Sequence, residues 1–148
     1  MSYTNLLYHV VFSTKERLPR LREELRPRIW EYIGGIIRNV EGHLLAANGT
    51  LDHVHLACVG SPKIAVAKLV QFIKGSSSKW MHETFPELGD AYWQQDYAAF
   101  TVSPSTLPNL LAYIRDQEEH HKRVDFKQEF IALLKRHGIS YDERYLWR

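Results

Sequence analysis

The chain has 148 residues, 45% of them hydrophobic and 24% charged, and a formal net charge of +2. This is length enough for one domain, residues 1–148, with a real core, and a composition that excludes a disordered chain. Near-neutral charge makes no demand for nucleic acid, so any electrostatic footprint has to be local. The single cysteine, Cys58, cannot form an internal disulfide and reads as a small buried hydrophobe in a reducing compartment. With no basic leader and no apolar run of membrane length, the expectation is a cytoplasmic protein without a membrane partner.

Leu6 to Ser13 alternates, with Leu6, Tyr8, Val10 and Phe12 on one face and Leu7, His9 and Val11 on the other, which predicts a mostly buried strand. A basic loop around Pro19 follows. Arg28 to Val40 carries Ile29, Ile33, Ile36, Ile37 and Val40 at helical spacing, and Gly42 is its stop. Gly34-Gly35 inside that helix costs about 1 kcal/mol per glycine, which implies a close neighbour. His43–Ala47 and Leu51–Val59 read as strands flanking an Asn48-Gly49 turn.

Val66, Leu69, Val70 and Ile73 define a second helix over Ile64–Glu83, expected to bend or fray at Gly75-Ser76-Ser77-Ser78. Pro86–Asp90 is a loop, and Ala91–Val102 a strand or bent strand pair. Ser103-Pro104-Ser105 supplies an N-cap with proline at the helix start. The helix runs from Thr106 to about His121, with Leu107, Leu110, Leu111 and Ile114 as its core stripe. A last helix is capped by Asp125 with Gln128, buries Phe126, Phe130, Leu133 and Leu134, and stops at Gly138. An aromatic tail, residues 139–148, must dock on something. The order β-α-β-β-α-β with appended helices predicts an α+β fold, a ferredoxin-like (split βαβ) antiparallel sheet with helices on one face plus a C-terminal tyrosine-bearing helix.

The chemistry concentrates in His53-Val54-His55 and in Tyr113 with Gln117. Alternate residues of a strand share a face, so both imidazoles can address one metal ion. Residues four apart on a helix stack, so a phenol and an amide can be offered to that ion together. Judged singly, each has a plainer role: the histidines as solvent-facing or core residues, Tyr113 as packing, and Gln117, His120 and His121 as a solvated face. Lys15, Arg17, Arg20, Arg22, Lys68, Lys74 and Lys79 could track phosphates or form an ordinary charged surface.

Three blocks then appear in order. They are Tyr8-His9-Val10-Val11-Phe12-Ser13-Thr14-Lys15, Asp52-His53-Val54-His55-Leu56, and the run from Ala112 to His121. Together they resemble the single-tyrosine HUH transposases of bacterial insertion sequences, more narrowly the IS200-like group and its repetitive-palindrome-associated relatives. The resemblance implies a ferredoxin-like sheet with the tyrosine helix alongside, usually in a homodimer. It also implies His53, His55 and Gln117 as ligands of a divalent metal, Mg²⁺ or Mn²⁺, and Tyr113 as nucleophile.

The expected reaction is cleavage and rejoining of single-stranded DNA with hairpin ends through a 5′-phosphotyrosine. His120 or His121 is the candidate for proton transfer. A homodimer is further expected because the aromatic tail and late helix offer apolar surface. Two alternatives stand beside this: a two-histidine phosphoesterase, disfavoured because it needs two His-x-Thr/Ser motifs, and a non-catalytic or domesticated module that binds nucleic-acid hairpins.

Overall fold

Four strands carry the computed structural model, which describes residues 2–89 and 92–148. They are β1 (Leu6–Ser13), β2 (His43–Gly49), β3 (His53–Gly60) and β4 (Ala98–Thr101). They pair in the order β2-β3-β1-β4, every neighbour antiparallel. Helix α1 (Arg26–Asn39) joins β1 to β2, and α2 (Val66–Thr84) joins β3 to β4. The expected ferredoxin-like sheet is therefore what the chain builds. After β4 come α3 (Leu107–Arg115), α4 (Gln117–His120) and α5 (Phe126–Arg136).

Strand alternation divides the core. Val10, Phe12, Val54, Leu56 and Cys58 face α1 and α2, where they meet Ile29, Ile33, Ile37, Leu69, Val70 and Ile73. Val11, Ala98 and Phe100 face the other way, against Phe126, Phe130, Leu133 and Leu134 of α5. Each buried leucine or isoleucine in either layer is worth about 2–5 kcal/mol against alanine. The imidazole-bearing face of β3 is thus covered by the late helices, opposite α1 and α2.

Asn48-Gly49 is not a turn. Both residues sit in β2, paired with His55 and Val54, and the chain reverses over Thr50-Leu51-Asp52. Two tertiary contacts override the turn preference. The Asn48 amide donates to the carbonyls of Ile114 and Arg115 at 3.0 and 3.1 Å. A Cβ at Gly49 would lie 1.9 Å from the His53 carbonyl oxygen, so only glycine lets β2 approach β3 there.

The expected single helix from Thr106 to His121 is broken at Asp116 (φ −96°, ψ 19°), next to the carbonyls that Asn48 engages. Its N-cap is Thr106 rather than Ser103, with Pro108 in the first turn. Of its leucine stripe only Ile114 is buried; Leu107, Leu110 and Leu111 are half-exposed.

Helix α2 runs unbroken through the glycine-serine stretch to Thr84. Ser77 is buried there, donating to the Ile73 carbonyl and accepting from Trp93 Nε1 at 2.9 Å. The strand expected over Ala91–Val102 shrinks to Ala98–Thr101, with Trp93 contributing one bridge to Thr14. Asp90 and Ala91 lie outside the described residues. Gly34 does take a close neighbour, since a Cβ there would lie 3.3 Å from Leu44.

Helix α5 has the expected Asp125–Gln128 capping box, and Gly138 follows it at φ 66°. The aromatic tail docks on its own domain: Trp147 packs on Phe126 and Phe130, and its carbonyl accepts from the Glu16 amide at 2.8 Å. Ile139 and Tyr145 of that tail stay exposed, so the docking covers only part of the apolar surface on which the expectation of a dimer rests. Among the described residues no helix is long and apolar enough to cross a membrane.

Candidate active site

His53 and His55 leave β3 on the same face, and both are fully buried beneath the late helices. Their rings stand 5.2 Å apart, edge to face, and Phe126 stacks on His53 at 4.1 Å. His53 Nδ1 lies 2.9 Å from Asp52 Oδ1. A carboxylate only accepts, so in the neutral ring Nδ1 carries the hydrogen and Nε2 the lone pair.

That Nε2 faces Gln117 Oε1 at 2.9 Å. The Gln117 amide nitrogen is already committed to Glu129 Oε2 at 3.2 Å. Two lone pairs therefore converge on one point, and only a proton or a cation reconciles them. The helix break at Asp116 starts α4 at Gln117, which is fully buried.

Tyr113 reaches the same cluster from α3. Its ring lies 5.6 Å from that of His55, and its hydroxyl donates to Glu129 Oε2. Burial, then the adjacent negative charge of Glu129, raise the phenol above its ordinary pKa. Tyr113 also walls two clefts, one of about 440 Å³ with Phe100, Leu110 and Leu133, the other of about 600 Å³ with Asp116, His120 and Arg123. The phenol thus borders open space, as His9 and His120 do beside it.

Glu129 and His9 escape a reading of the sequence. Glu129 is 4% exposed at the centre of the cluster. Its Oε1 lies 2.8 Å from His55 Nε2 and 3.0 Å from His121 Nε2. Burial alone would raise its carboxyl, but hydrogen bonds from His121 and His55 outweigh this and hold it well below the usual carboxylate range. His9 Nε2 lies 2.8 Å from His55 Nδ1. Burial, then the neighbouring His55, lower the His9 pKa to about 3, and burial lowers that of His55 to about 4. Both rings are neutral near pH 7, so each has a lone pair to give.

A signal existed for both. Glu129 falls between Phe126 and Leu133 on the apolar stripe of α5, where a charge is out of place. Val11 pairs with His55 across β1 and β3, which sets His9 diagonal to His55 on one face.

Among the described residues, His53, His55, His121 and Glu129 present donor atoms within 4.8 Å of one another. Nitrogen and oxygen donors of this kind suit a first-row divalent ion such as Mn²⁺ at least as well as Mg²⁺. The structure therefore brings together His53, His55, Gln117, Tyr113 and His121. His120 lies at the margin, its Nε2 3.2 Å from Glu129 Oε2 but without hydrogen-bond geometry.

The basic residues do not join them. Lys68, Lys74 and Lys79 ride on α2, across the sheet from the imidazoles. Lys74 donates to the carbonyls of Gln95 and Asp96, both at 2.9 Å. Arg17 lies over Trp147, Arg20 donates to the Leu88 carbonyl, and Arg22 pairs with Glu24 and Glu87. Lys15, Lys68 and Lys79 are exposed.

The family described as IS200-like transposase matches residues 2–117. The chain is similar to the transposase of insertion sequence element IS200 from Salmonella typhimurium, 28% identical over 123 residues and covering 80% of each chain. It is similar also to the ISDra2 transposase TnpA of Deinococcus radiodurans, 27% identical over 119 residues, or 77% of this chain and 85% of the relative. A crystal structure of a proposed transposase from Deinococcus radiodurans superposes with a TM-score of 0.63 at 27% identity, covering 78% of this chain and 93% of the other. A REP-associated tyrosine transposase bound to a REP hairpin superposes with a TM-score of 0.62, covering 84% and 73%; at 14% identity that likeness is one of fold. The family match ends at Gln117, so α5 and Glu129 lie beyond it.

Proposed function

Because this chain belongs to the IS200-like transposase family, we propose that it cuts and rejoins single-stranded DNA, with Tyr113 as nucleophile and His53, His55 and Gln117 holding a divalent cation. The observation that supports this best is the meeting, inside one chain, of a phenol bordering open clefts with two buried imidazoles that leave β3 on the same face.

The Tyr113 oxygen bonds to the scissile phosphorus as the bond from phosphorus to the 3′-oxygen breaks. The strand 3′ of the cut stays on tyrosine through its 5′-phosphate, now a phosphodiester, and the departing oxygen of the other strand takes a proton to become a 3′-hydroxyl. One phosphodiester has replaced another, so a second 3′-hydroxyl can attack the phosphotyrosine and rejoin the strand without a nucleoside triphosphate. His53, His55 and the Gln117 amide would hold Mn²⁺ or Mg²⁺, which would supply Lewis-acid polarisation of the phosphate and help to orient it. The Tyr113 proton has acceptors at hand in the Glu129 carboxylate and, 5.3 Å from the phenol ring, the His120 imidazole, with His121 beyond.

The proposed substrate is a hairpin in single-stranded DNA, as in the solved relative bound to a REP hairpin. The exposed Lys15, Lys68 and Lys79 are proposed to meet its phosphates, with Arg17, Arg20, Arg22 and Lys74 in support. The proposed assembly is a homodimer, with Tyr113 reaching the cluster of its own chain in the arrangement described above.

Incubation of the protein with labelled hairpin DNA and Mn²⁺, followed by a denaturing gel, tests this. Wild type is expected to give a covalent adduct and Tyr113→Phe none. An adduct from Tyr113→Phe removes this tyrosine from the reaction. Binding without any adduct from wild type makes the protein a hairpin-binding module instead.

A further inference from the structure

The carboxylate at the heart of the cluster has no place in the ligand set proposed above. Glu129 Oε1 sits 2.8 Å from His55 Nε2, 3.0 Å from His121 Nε2 and 3.6 Å from His53 Nε2. Its Oε2 takes the Tyr113 hydroxyl and the Gln117 amide. A buried carboxylate ringed by three imidazoles, each with a nitrogen turned toward it, is the arrangement that ligands around one small cation adopt. Donors 2.0–2.2 Å from a four-coordinate ion stand about 3.4 Å from one another, and the spacings here bracket that value.

We propose that Glu129 is itself a ligand of the cation, supplied by α5 from outside the segment shared with the family, and that the same carboxylate holds Tyr113 when no cation is bound. This rests on the reading of His53 and His55 as cation ligands and deepens it. The two imidazoles on Oε1 and the phenol and amide on Oε2 fill the roughly four acceptor sites of the carboxylate, so a cation has to compete with them for its charge. Drawing Glu129 onto the cation weakens its hold on the Tyr113 hydroxyl, which then turns toward the clefts that Tyr113 already borders. His55 can follow without changing charge. Once Nε2 faces a cation its proton belongs on Nδ1, where His9 Nε2 waits at 2.8 Å to accept it.

The carboxylate also bears on the choice of metal. Two imidazoles beside a carboxylate and the Gln117 amide form a mixed nitrogen and oxygen set that favours Mn²⁺ over Mg²⁺, because Mg²⁺ prefers oxygen ligands and retains its waters.

The test is Mn²⁺ binding, read by loss of the free-ion electron paramagnetic resonance signal, in wild type, Glu129→Gln and His53→Ala, with far-ultraviolet circular dichroism to establish folding. Glu129→Gln is expected to lose at least about tenfold in affinity, and Mg²⁺ to compete poorly in wild type. A folded Glu129→Gln that binds within threefold of wild type overturns the role of Glu129 alone, provided His53→Ala has lost binding. A wild type that binds no Mn²⁺ overturns the cation reading as a whole. A crystal structure of wild type with Mn²⁺ decides the matter even if the variant does not fold. Glu129 oxygen within about 2.3 Å of the ion is expected, and an ion bound by the histidines with Glu129 beyond 3.5 Å contradicts the proposal.

Discussion

Acid should unfold this protein through the cluster itself, and the size of the effect follows from two rings. The His9 pKa is about 3 and the His55 pKa about 4 in the folded chain, against 6.5 for an ordinary imidazole. The unfolded chain therefore takes up protons near pH 6.5 that the native state refuses, so stability falls as pH falls. The loss begins near pH 6.5 and continues until the folded values are reached. One such ring removes about 1.5 kcal/mol between pH 6.5 and 5, and two independent rings about 3 kcal/mol. The hydrogen bond between them couples the two titrations, so the expected loss lies between about 1.5 and 3 kcal/mol. That is a large share of the 5–15 kcal/mol typical of a domain. Glu129, held below the usual carboxylate range, acts in the same direction once pH drops below about 4.5. Urea unfolding of metal-stripped protein at pH 7, 6 and 5 measures this directly. His9→Phe should remove one of the two rings and flatten the slope. A stability that does not change between pH 7 and 5 would refute the burial of neutral imidazoles at this site.

Three further perturbations have calculable outcomes. Gly49→Ala puts a Cβ 1.9 Å from the His53 carbonyl oxygen, so β2 and β3 must part. A cost of about 3 kcal/mol should appear as a drop in Tm of roughly 6–12 °C, and an unchanged Tm would contradict the close approach. Asp52→Ala removes the acceptor 2.9 Å from His53 Nδ1. Mn²⁺ affinity should fall about 10–100-fold while urea stability changes little, and unaltered affinity would mean that Asp52 does not orient the ring. Phe126→Ala removes the ring stacked 4.1 Å from His53 and should cost about 3–5 kcal/mol in chemical denaturation; a loss under 1 kcal/mol would show the ring to be peripheral.

Elements whose pattern and packing agree were legible in the sequence. The alternation of β1, the apolar stripe of α1 and the capping box of α5 each fix local structure that the sheet then uses. His53, His55, Tyr113 and Gln117 were legible because strand and helix periods put each pair on one face. What escaped depended on contacts between distant segments. Asn48-Gly49 carries a strong turn signal, yet Asn48 is drawn to the end of α3 and Gly49 to the His53 backbone. Ser77 looked like a helix breaker because its partner, Trp93, lies 16 residues away. The leucines of α3 looked like core, but only Ile114 of that stripe is buried. Glu129 was hidden for the opposite reason. A lone charge on an apolar stripe gains meaning only when the three imidazoles around it are in place.

The claim on which the function turns is that the Tyr113 oxygen attacks phosphorus. Wild-type protein can be reacted with hairpin DNA and Mn²⁺, trimmed with nuclease and digested with trypsin, and the peptide ending at Arg115 weighed by mass spectrometry. A nucleotide mass added at Tyr113 is the predicted result. Cut DNA alongside an unmodified Tyr113 peptide, or the added mass on another side chain, would contradict it.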